Sequence, residues 1–582
     1  MQRVEYSKSC LLLVSLVLLS WPLLTSQSPQ TPSSSQSTTA ACKSTPYPKL
    51  CRTILGAFKS SPSDPFRYGK FTVKQCLKQA RRLSKAFHRF AQLVEANQAI
   101  STPEEVGAVA DCGELADLSV DYLETVEEEL KGAEVMTEAL VERVTSLLSG
   151  VVTNQQTCLD GLDEAKSQFA AAAMGTPLGN LTRLYSVSLG LVTHALNKNL
   201  KRYKGSRKNI FGGSHNVVRE PLETLIKVLR KTCDKEKECG RKIERRTGEL
   251  GQTSGGSVLV REAVTVGPYE TDNFTTISAA VAAAPNNTNP EDGYFVIYAR
   301  EGLYEEYVVV SKNKRNVLLI GDGINRTVIS GNHSFVDGWT TYNSSTFAVA
   351  GERFVAVDVT FRNTAGPQKH QAVALRSNAD WSTFYRCSFE GYQDTLYVHS
   401  LRQFYRQCDI YGTIDFIFGN AAAVFQNCNL YARKPMDKQK NAFTAQGRTD
   451  PNQNTGISIQ NCTIQAAADL AADQNSTWTF LGRPWKPYSR TVYMQSYISD
   501  VVHPLGWLEW NGTVGLDTLY YGEYENFGPG SNTGSRVQWP GYSLMNLTQA
   551  LNFTVYNLTV GDTWLPQTDI PFYGGLVSQR VV

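Results

Sequence analysis

The chain lacks the features that announce several common kinds of chemistry. Its twelve cysteines include no C-x-x-C pair, which speaks against a zinc site and for disulfides. Its seven histidines are scattered. There is no H-E-x-x-H on which a zinc hydrolase could rest and no G-x-S-x-G elbow for a serine esterase, and no histidine is assigned a catalytic role. Charge of one sign is also scarce: the formal net charge is +3, and no basic-aromatic motif for nucleic acid occurs. So mild a positive balance suits loose association with an anionic polymer.

One apolar run stands apart. "CLLLVSLVLLSWPLL" (Cys10 to Leu24) follows Arg3 and Lys8 and precedes the small polar "TSQS", so residues 1–26 read as a signal peptide. An uncleaved signal anchor is the alternative, because the run falls a little short of the roughly 20 residues that span a bilayer. Twelve N-x-S/T sequons, among them Asn180, Asn273, Asn332, Asn461 and Asn546, are compatible with a glycosylating secretory route.

At 582 residues, 42% of them hydrophobic, the chain has material for two cores. A Ser/Thr/Pro/Gln linker over 27–41 leads to a helical region, 42–200. There Leu115, Leu118, Tyr122, Val126 and Leu130 recur at helical spacing, and a four-helix bundle is expected. Residues 201–257 turn basic and then Gly/Ser-rich, which reads as a boundary open to proteases near Arg245 and Arg246; a merely solvated charged surface is the alternative. From 258 to 575 the pattern changes to short β-branched and aromatic runs between Gly, Asn and Asp, an all-β region, followed by a tail at 576–582.

A repeat lies inside this region. "FYRCSFEGYQDTLY" from Phe384, "FYRQCDIYGTIDFIF" from Phe404 and "FQNCNLYA" from Phe425 carry Cys387, Cys408 and Cys428, about 20 residues apart. That period predicts a solenoid of stacked strands. Asp394 and Asp415 each lie seven residues beyond a repeat cysteine. Stacking therefore brings them to adjacent coils, about 4.8 Å apart in backbone. Asp415 stands in "GTIDFIFGN", which reads as a buried strand, where an unpartnered carboxylate would cost several kcal/mol. With two carboxylates so close, one of the pair holds its proton more tightly and can serve as an acid. Gln371 and Gln393 stack beside them as neutral donors suited to an oxyanion. Cys408 and Cys428 stack as a candidate disulfide. Asp ladders also occur in solenoids as plain turn residues, so the residues alone leave both readings open.

The segments "GNHSFVDGWTTYNSSTFAV", "FRNTAGPQKHQAVALRS", "CSFEGYQDTLYVHSLRQFY", "GTIDFIFGNAAAVFQNC", "AQGRTDPNQNTGISI", "LGRPWKPYSRTVYMQS" and "GWLEWNG" resemble the plant pectin methylesterases over nearly all of 258–575. The N-terminal half resembles the pectin methylesterase inhibitor domain, on "CKSTPYPKLC", "DCGEL" and "TCLDGL". The resemblance implies a right-handed parallel β-helix and the disulfides Cys42–Cys51 and Cys112–Cys158. It implies Asp415 as nucleophile on a galacturonate methyl ester, Asp394 as general acid and then base, Gln393 and Gln371 as oxyanion donors, and Arg483 as the cation that keeps Asp415 ionised. Trp485 and Thr341 are implied substrate contacts. No metal or organic cofactor is implied.

The implied partners are methyl-esterified homogalacturonan, an inhibitor domain in cis or a separate inhibitor protein, and a processing protease at Arg245–Arg246. The implied catalytic part is a monomer in the cell wall or apoplast. Two departures stand out. "GPYETDNFTT" (Gly267 to Thr276) replaces the family's glycine-rich opening, and Thr247–Gly248 replaces the Leu-Leu of its usual processing site. Cys76, Cys233, Cys239, Cys387 and Cys462 receive no partner. Two rival readings remain: a chain-cleaving pectin hydrolase or lyase, since carboxylates about 5 Å apart also suit retaining glycosidases, and an inhibitor or wall-binding protein with an inactive catalytic half.

Overall fold

The computed structural model describes residues 35–58, 65–96, 102–133, 137–166, 168–200, 220–234 and 258–577. The expected signal peptide and the Arg245–Arg246 site lie outside the described residues. The chain forms two compact units, Met1–Asn209 and Ile210–Val582.

The first unit consists of helices α1 (Ser35–Cys42), α2 (Pro48–Gly56), α3 (Pro65–Ala96), α4 (Pro103–Gly132), α5 (Glu138–Glu164) and α6 (Gln168–Leu200). The four long helices pack in sequence, and α6 returns against α3 to close a bundle. Connections of only a few residues make such neighbours antiparallel. The Thr102 hydroxyl accepts from Glu105 N–H at 3.3 Å, ahead of Pro103 and two acidic residues in the first turn of α4. Thr137 does the same for Leu140 N–H on α5. These satisfy donors that a helix start leaves open. Leu115, Leu118, Tyr122, Val126 and Leu130 are all buried, as their spacing predicts. Disulfides join Cys42 to Cys51 and Cys112 to Cys158. Cys76 is a free, buried thiol whose pKa burial pushes up to about 12. Helix α1 begins at Ser35, inside the segment read from sequence as a linker.

The second unit is a right-handed parallel β-helix. Its strands form three sheets of 11, 8 and 7 strands, here called sheets 1, 2 and 3, and between the end coils, which add strands mainly to sheet 1, the chain passes from sheet 1 to 2 to 3 in each coil. Sheet 1 fixes the register, with Phe384 opposite Tyr405 and Tyr405 opposite Phe425. Their rings stack inside the helix at 4.9 and 4.4 Å between centroids. The cysteine interval thus gave the correct alignment, whereas Phe384 and Phe404 are one residue out of step. Because strand side chains alternate, that slip puts Phe404 on the outer face.

The sheet 1 to sheet 2 corner is turned at Asp358, Arg386, Gln407, Asn427, Asn461, Gln495 and Glu525, all with φ between 48° and 59°. A single left-handed residue per coil bends the chain without adding a loop. Below this corner Cys387, Cys408, Cys428 and Cys462 form an inward ladder of free thiols. The expected Cys408–Cys428 disulfide is therefore corrected. Parallel stacking repeats each thiol in the same direction, so Cys408 faces a backbone carbonyl, Phe384 O at 3.4 Å, and Cys428 faces Tyr405 O at 3.6 Å.

Sheet 1 is apolar on its outer face too. Tyr294, Val296, Tyr298, Leu318, Ile320, Val355 and Val357 point outward and are buried. Their cover includes a helix within residues read from sequence as a processing linker, α7 (Glu220–Asp234). Its Leu222, Leu225, Ile226 and Leu229 are at most 4% exposed, each contributing about 1.5–3 kcal/mol by burial. The C-terminal segment supplies further cover through Val555, Leu558, Trp564, Leu565 and Ile570.

The Cys112–Cys158 link closes a loop of 46 residues, for which chain entropy gives about 4 kcal/mol. Replacing both cysteines with serine is expected to lower the calorimetric transition of the helical unit and leave that of the β-helix in place.

Candidate active site

The "GTIDFIFGN" run is not a continuous strand. The chain leaves sheet 2 after the strand Asp409–Gly412 and enters sheet 3 at Ile417–Gly419, and Asp415 occupies the bend between them with φ of 53°. Asp394 sits at the same bend one coil earlier, φ 63°. The neighbouring strands pair Leu396 with Ile417, the 21-residue offset that also separates the two aspartates. A bond from Asp394 N–H to Ile414 O at 3.0 Å locks the two bends together. Non-glycine residues rarely adopt this left-handed conformation, and such strain clusters where side chains must be held for use.

The bend is tight as well. A Cβ on Gly412 would lie 2.2 Å from Phe416 Cβ and 2.7 Å from Thr395 Oγ1, so only glycine lets the chain turn there. Both aspartates are buried at these bends, at 7% exposure for Asp394 and 5% for Asp415.

Arg483 answers Asp415. Its Nε donates to Oδ1 at 2.8 Å and its NH2 to Oδ2 at 2.7 Å, a two-point fork that matches carboxylate geometry. Burial alone would lower the arginine pKa, but the charges of Asp415 and, beyond it, Asp394 outweigh that and raise it. The guanidinium also lies over the ring of Trp510, whose centroid is 4.3 Å away. Tyr521 is buried in the core within electrostatic range of the same carboxylate. Burial pushes its phenol pKa up, the Asp415 charge adds to this, and the hydroxyl is paired with Ser489 Oγ at 3.0 Å.

The two glutamines also lie on adjacent coils, where Ala372 N–H donates to Gln393 O at 3.2 Å. This keeps the offset of 22 between Gln371 and Gln393 before the strands resume at 21 with Leu375 opposite Leu396. Both amides are half-buried. Trp485 is half-buried, edge-on to Phe418 at 6.0 Å. Its ring lies where a Cβ on Gly447 would come within 2.7 Å of it, so Gly447 makes the seat for the indole. Thr341 is half-buried, and Ser344 Oγ donates to its carbonyl at 3.0 Å. Among the described residues no cluster of His, Cys, Asp or Glu could hold a metal ion. The arrangement can present one carboxylate, fixed by a cation, and a second carboxylate one rung away. Trp510, Tyr521 and Gly447 were not singled out from sequence. Trp510 and Gly447 did lie in segments that carry the resemblance, "GWLEWNG" and "AQGRTDPNQNTGISI", whereas Tyr521 lay in none.

The family model described as Pectinesterase matches residues 263–562, and that described as Plant invertase/pectin methylesterase inhibitor matches residues 36–191. "Probable pectinesterase/pectinesterase inhibitor 47" of Arabidopsis thaliana is 81% identical over 92% of this chain and 86% of its own. "Probable pectinesterase/pectinesterase inhibitor 25" of the same plant is 76% identical over 94% and 88%. The solved structure "Pectin methylesterase from Carrot" is 52% identical, covers 54% of this chain and 98% of its own, and has a TM-score of 0.53.

Replacing Arg483 with methionine keeps the stem and removes the fork. The buried Asp415 charge then has no cation, and the β-helix is expected to lose about 3 kcal/mol, the lower end of the cost of breaking a buried pair, because Arg483 keeps 24% of its side chain in water. Chemical denaturation of the variant beside the parent measures this.

Proposed function

The chain belongs to the pectinesterase family of carboxylic ester hydrolases, with an invertase/pectin methylesterase inhibitor-like domain ahead of it, and from that premise we propose that it hydrolyses the methyl esters of galacturonate in homogalacturonan. The observation that carries this reading is the forked Arg483–Asp415 pair with Asp394 on the adjacent coil.

In the proposed reaction, Asp415 attacks the ester carbonyl carbon and the carbonyl π bond opens to a tetrahedral oxyanion, stabilised by the amides of Gln393 and Gln371. Collapse breaks the bond to the methoxy oxygen. Asp394 gives that oxygen its proton, methanol leaves, and an anhydride joins Asp415 to the galacturonyl carbon. Asp394, now ionised, takes a proton from water as the water attacks that carbon, and the free galacturonate departs as Asp415 is restored. Arg483 holds the nucleophile in its attacking geometry throughout. Trp485 offers a ring face to a sugar and Thr341 a polar contact. The esterase unit works as a monomer after secretion to the cell wall. The inhibitor-like domain either restrains its own esterase unit or serves as a folding and secretion pro-region.

The packing of α7 determines how this is tested. A fragment starting at Val258 would leave the outer face of sheet 1 without its helix, so the esterase fragment should begin at Ile210. Methanol release from highly methylated pectin, without new chain ends, is the expected result for that fragment. Added helical unit in trans suppresses it if that unit inhibits. New chain ends would support a chain-cleaving enzyme instead.

Asp415→Asn, nearly isosteric, is expected to abolish turnover with the melting temperature of the β-helix retained. Gln393→Ala should lower kcat by about 10²–10³-fold, as loss of one oxyanion donor does elsewhere. Full activity in a folded Asp415→Asn protein would refute the nucleophile assignment.

A further inference from the structure

Helix α7 lies between the two family matches, which end at residue 191 and resume at 263, so neither assigns it a role. In sequence it reads as part of a basic connector. In the structure it is bound to the β-helix unit from Leu222 to Arg230. Its apolar stripe of Leu222, Leu225, Ile226 and Leu229 is buried in the same cluster as the outward residues of sheet 1.

Polar contacts fix both ends. At the start, Leu222 N–H donates to Asp569 Oδ2 at 2.9 Å, from the C-terminal segment that covers the neighbouring part of the face. Glu223 pairs with Arg386, the corner residue after Ser382–Tyr385. Arg386 in turn forks onto Asp358, the corner residue of the preceding coil, at 2.7 and 2.8 Å. Near the other end, Arg230 donates to the same Asp358 and to Gly321 O, both at 2.8 Å. The helix thus clamps three successive coils through two left-handed corner residues, and it does so ahead of the dibasic Arg245–Arg246.

We propose that α7 is a docking strap that belongs to the esterase unit, so that cleavage at Arg245–Arg246 alone does not release the inhibitor-like domain. The cut leaves that domain attached through residues 201–219 to a helix still seated on sheet 1. Release requires a second event: a cut between the bundle and α7, or dissociation of the helix. The basic stretch "KRYKGSRK" (Lys201 to Lys208) stands where such a second cut would fall. Dissociation would expose Leu318, Ile320, Val355 and Val357, and the freed face would favour self-association.

The test uses the full chain with a site-specific protease sequence in place of residues 247–252, and a second, different site in place of residues 203–208. After the first cut alone, the N-terminal fragment is expected to co-elute with the β-helix fragment in gel filtration. After both cuts, the bundle elutes free, and native mass spectrometry finds the intervening peptide on the β-helix. Leu225→Asp with Leu229→Asp should abolish co-elution after the first cut; if that variant does not fold, the two-cut protein decides. Free N-terminal fragment after the first cut, with a folded β-helix, overturns the proposal. So does a bundle that stays bound after both cuts, since the bundle and not the strap would then be responsible.

Discussion

Everything in the β-helix unit depends on parallel stacking held in one register from coil to coil. The interior is a set of ladders, such as Phe384, Tyr405 and Phe425, in which each ring lies on the equivalent ring of the next coil. A slip of one residue in any coil would turn its inward side chains out. The corners prevent this. One left-handed residue per coil between sheets 1 and 2, from Asp358 to Glu525, sets the same turn each time. The chemistry exploits the next corner, between sheets 2 and 3, where Asp394 and Asp415 occupy the same strained position on successive coils. Proximity of two carboxylates, costly to arrange by side-chain packing, comes here from backbone repetition.

Partners that do not repeat make the pair asymmetric. Arg483 comes from a distant segment and forks onto Asp415, while Trp510 closes over the guanidinium. The two aspartates therefore share a backbone geometry and differ in their electrostatic surroundings. That difference allows one to be the nucleophile and the other to carry a proton.

How much was legible in the sequence followed from how local each signal was. The cysteine interval revealed the coil period, because identical inward residues recur wherever ladders form. The offset that pairs Gln371 with Gln393 survived because the backbone keeps it, through Ala372 and Gln393. Asp415 was misplaced in a strand because Ile414 and Phe416 on either side are apolar, and hydrophobic pattern does not report a positive φ. The Cys408–Cys428 pairing failed because spacing shows adjacency but not direction, and parallel stacking points each thiol at a carbonyl. The seating of helix α7 on the β-helix was hidden by its basic surroundings, although "PLETLIKVL" carries its stripe at helical spacing. Trp510, Tyr521 and Gly447 meet the site only through the fold, across long stretches of chain that no local window spans.

The central claim is that Asp415 bonds to the substrate acyl group. The most direct measurement is a single-turnover reaction of excess enzyme with a methylated oligogalacturonide, with and without hydroxylamine. If the acyl-enzyme forms, the rate of methanol release is independent of hydroxylamine, while product is diverted from carboxylate to hydroxamate. Carboxylate alone, or methanol release that accelerates in proportion to hydroxylamine, would mean that water or hydroxylamine attacks the ester directly and that Asp415 is not the nucleophile.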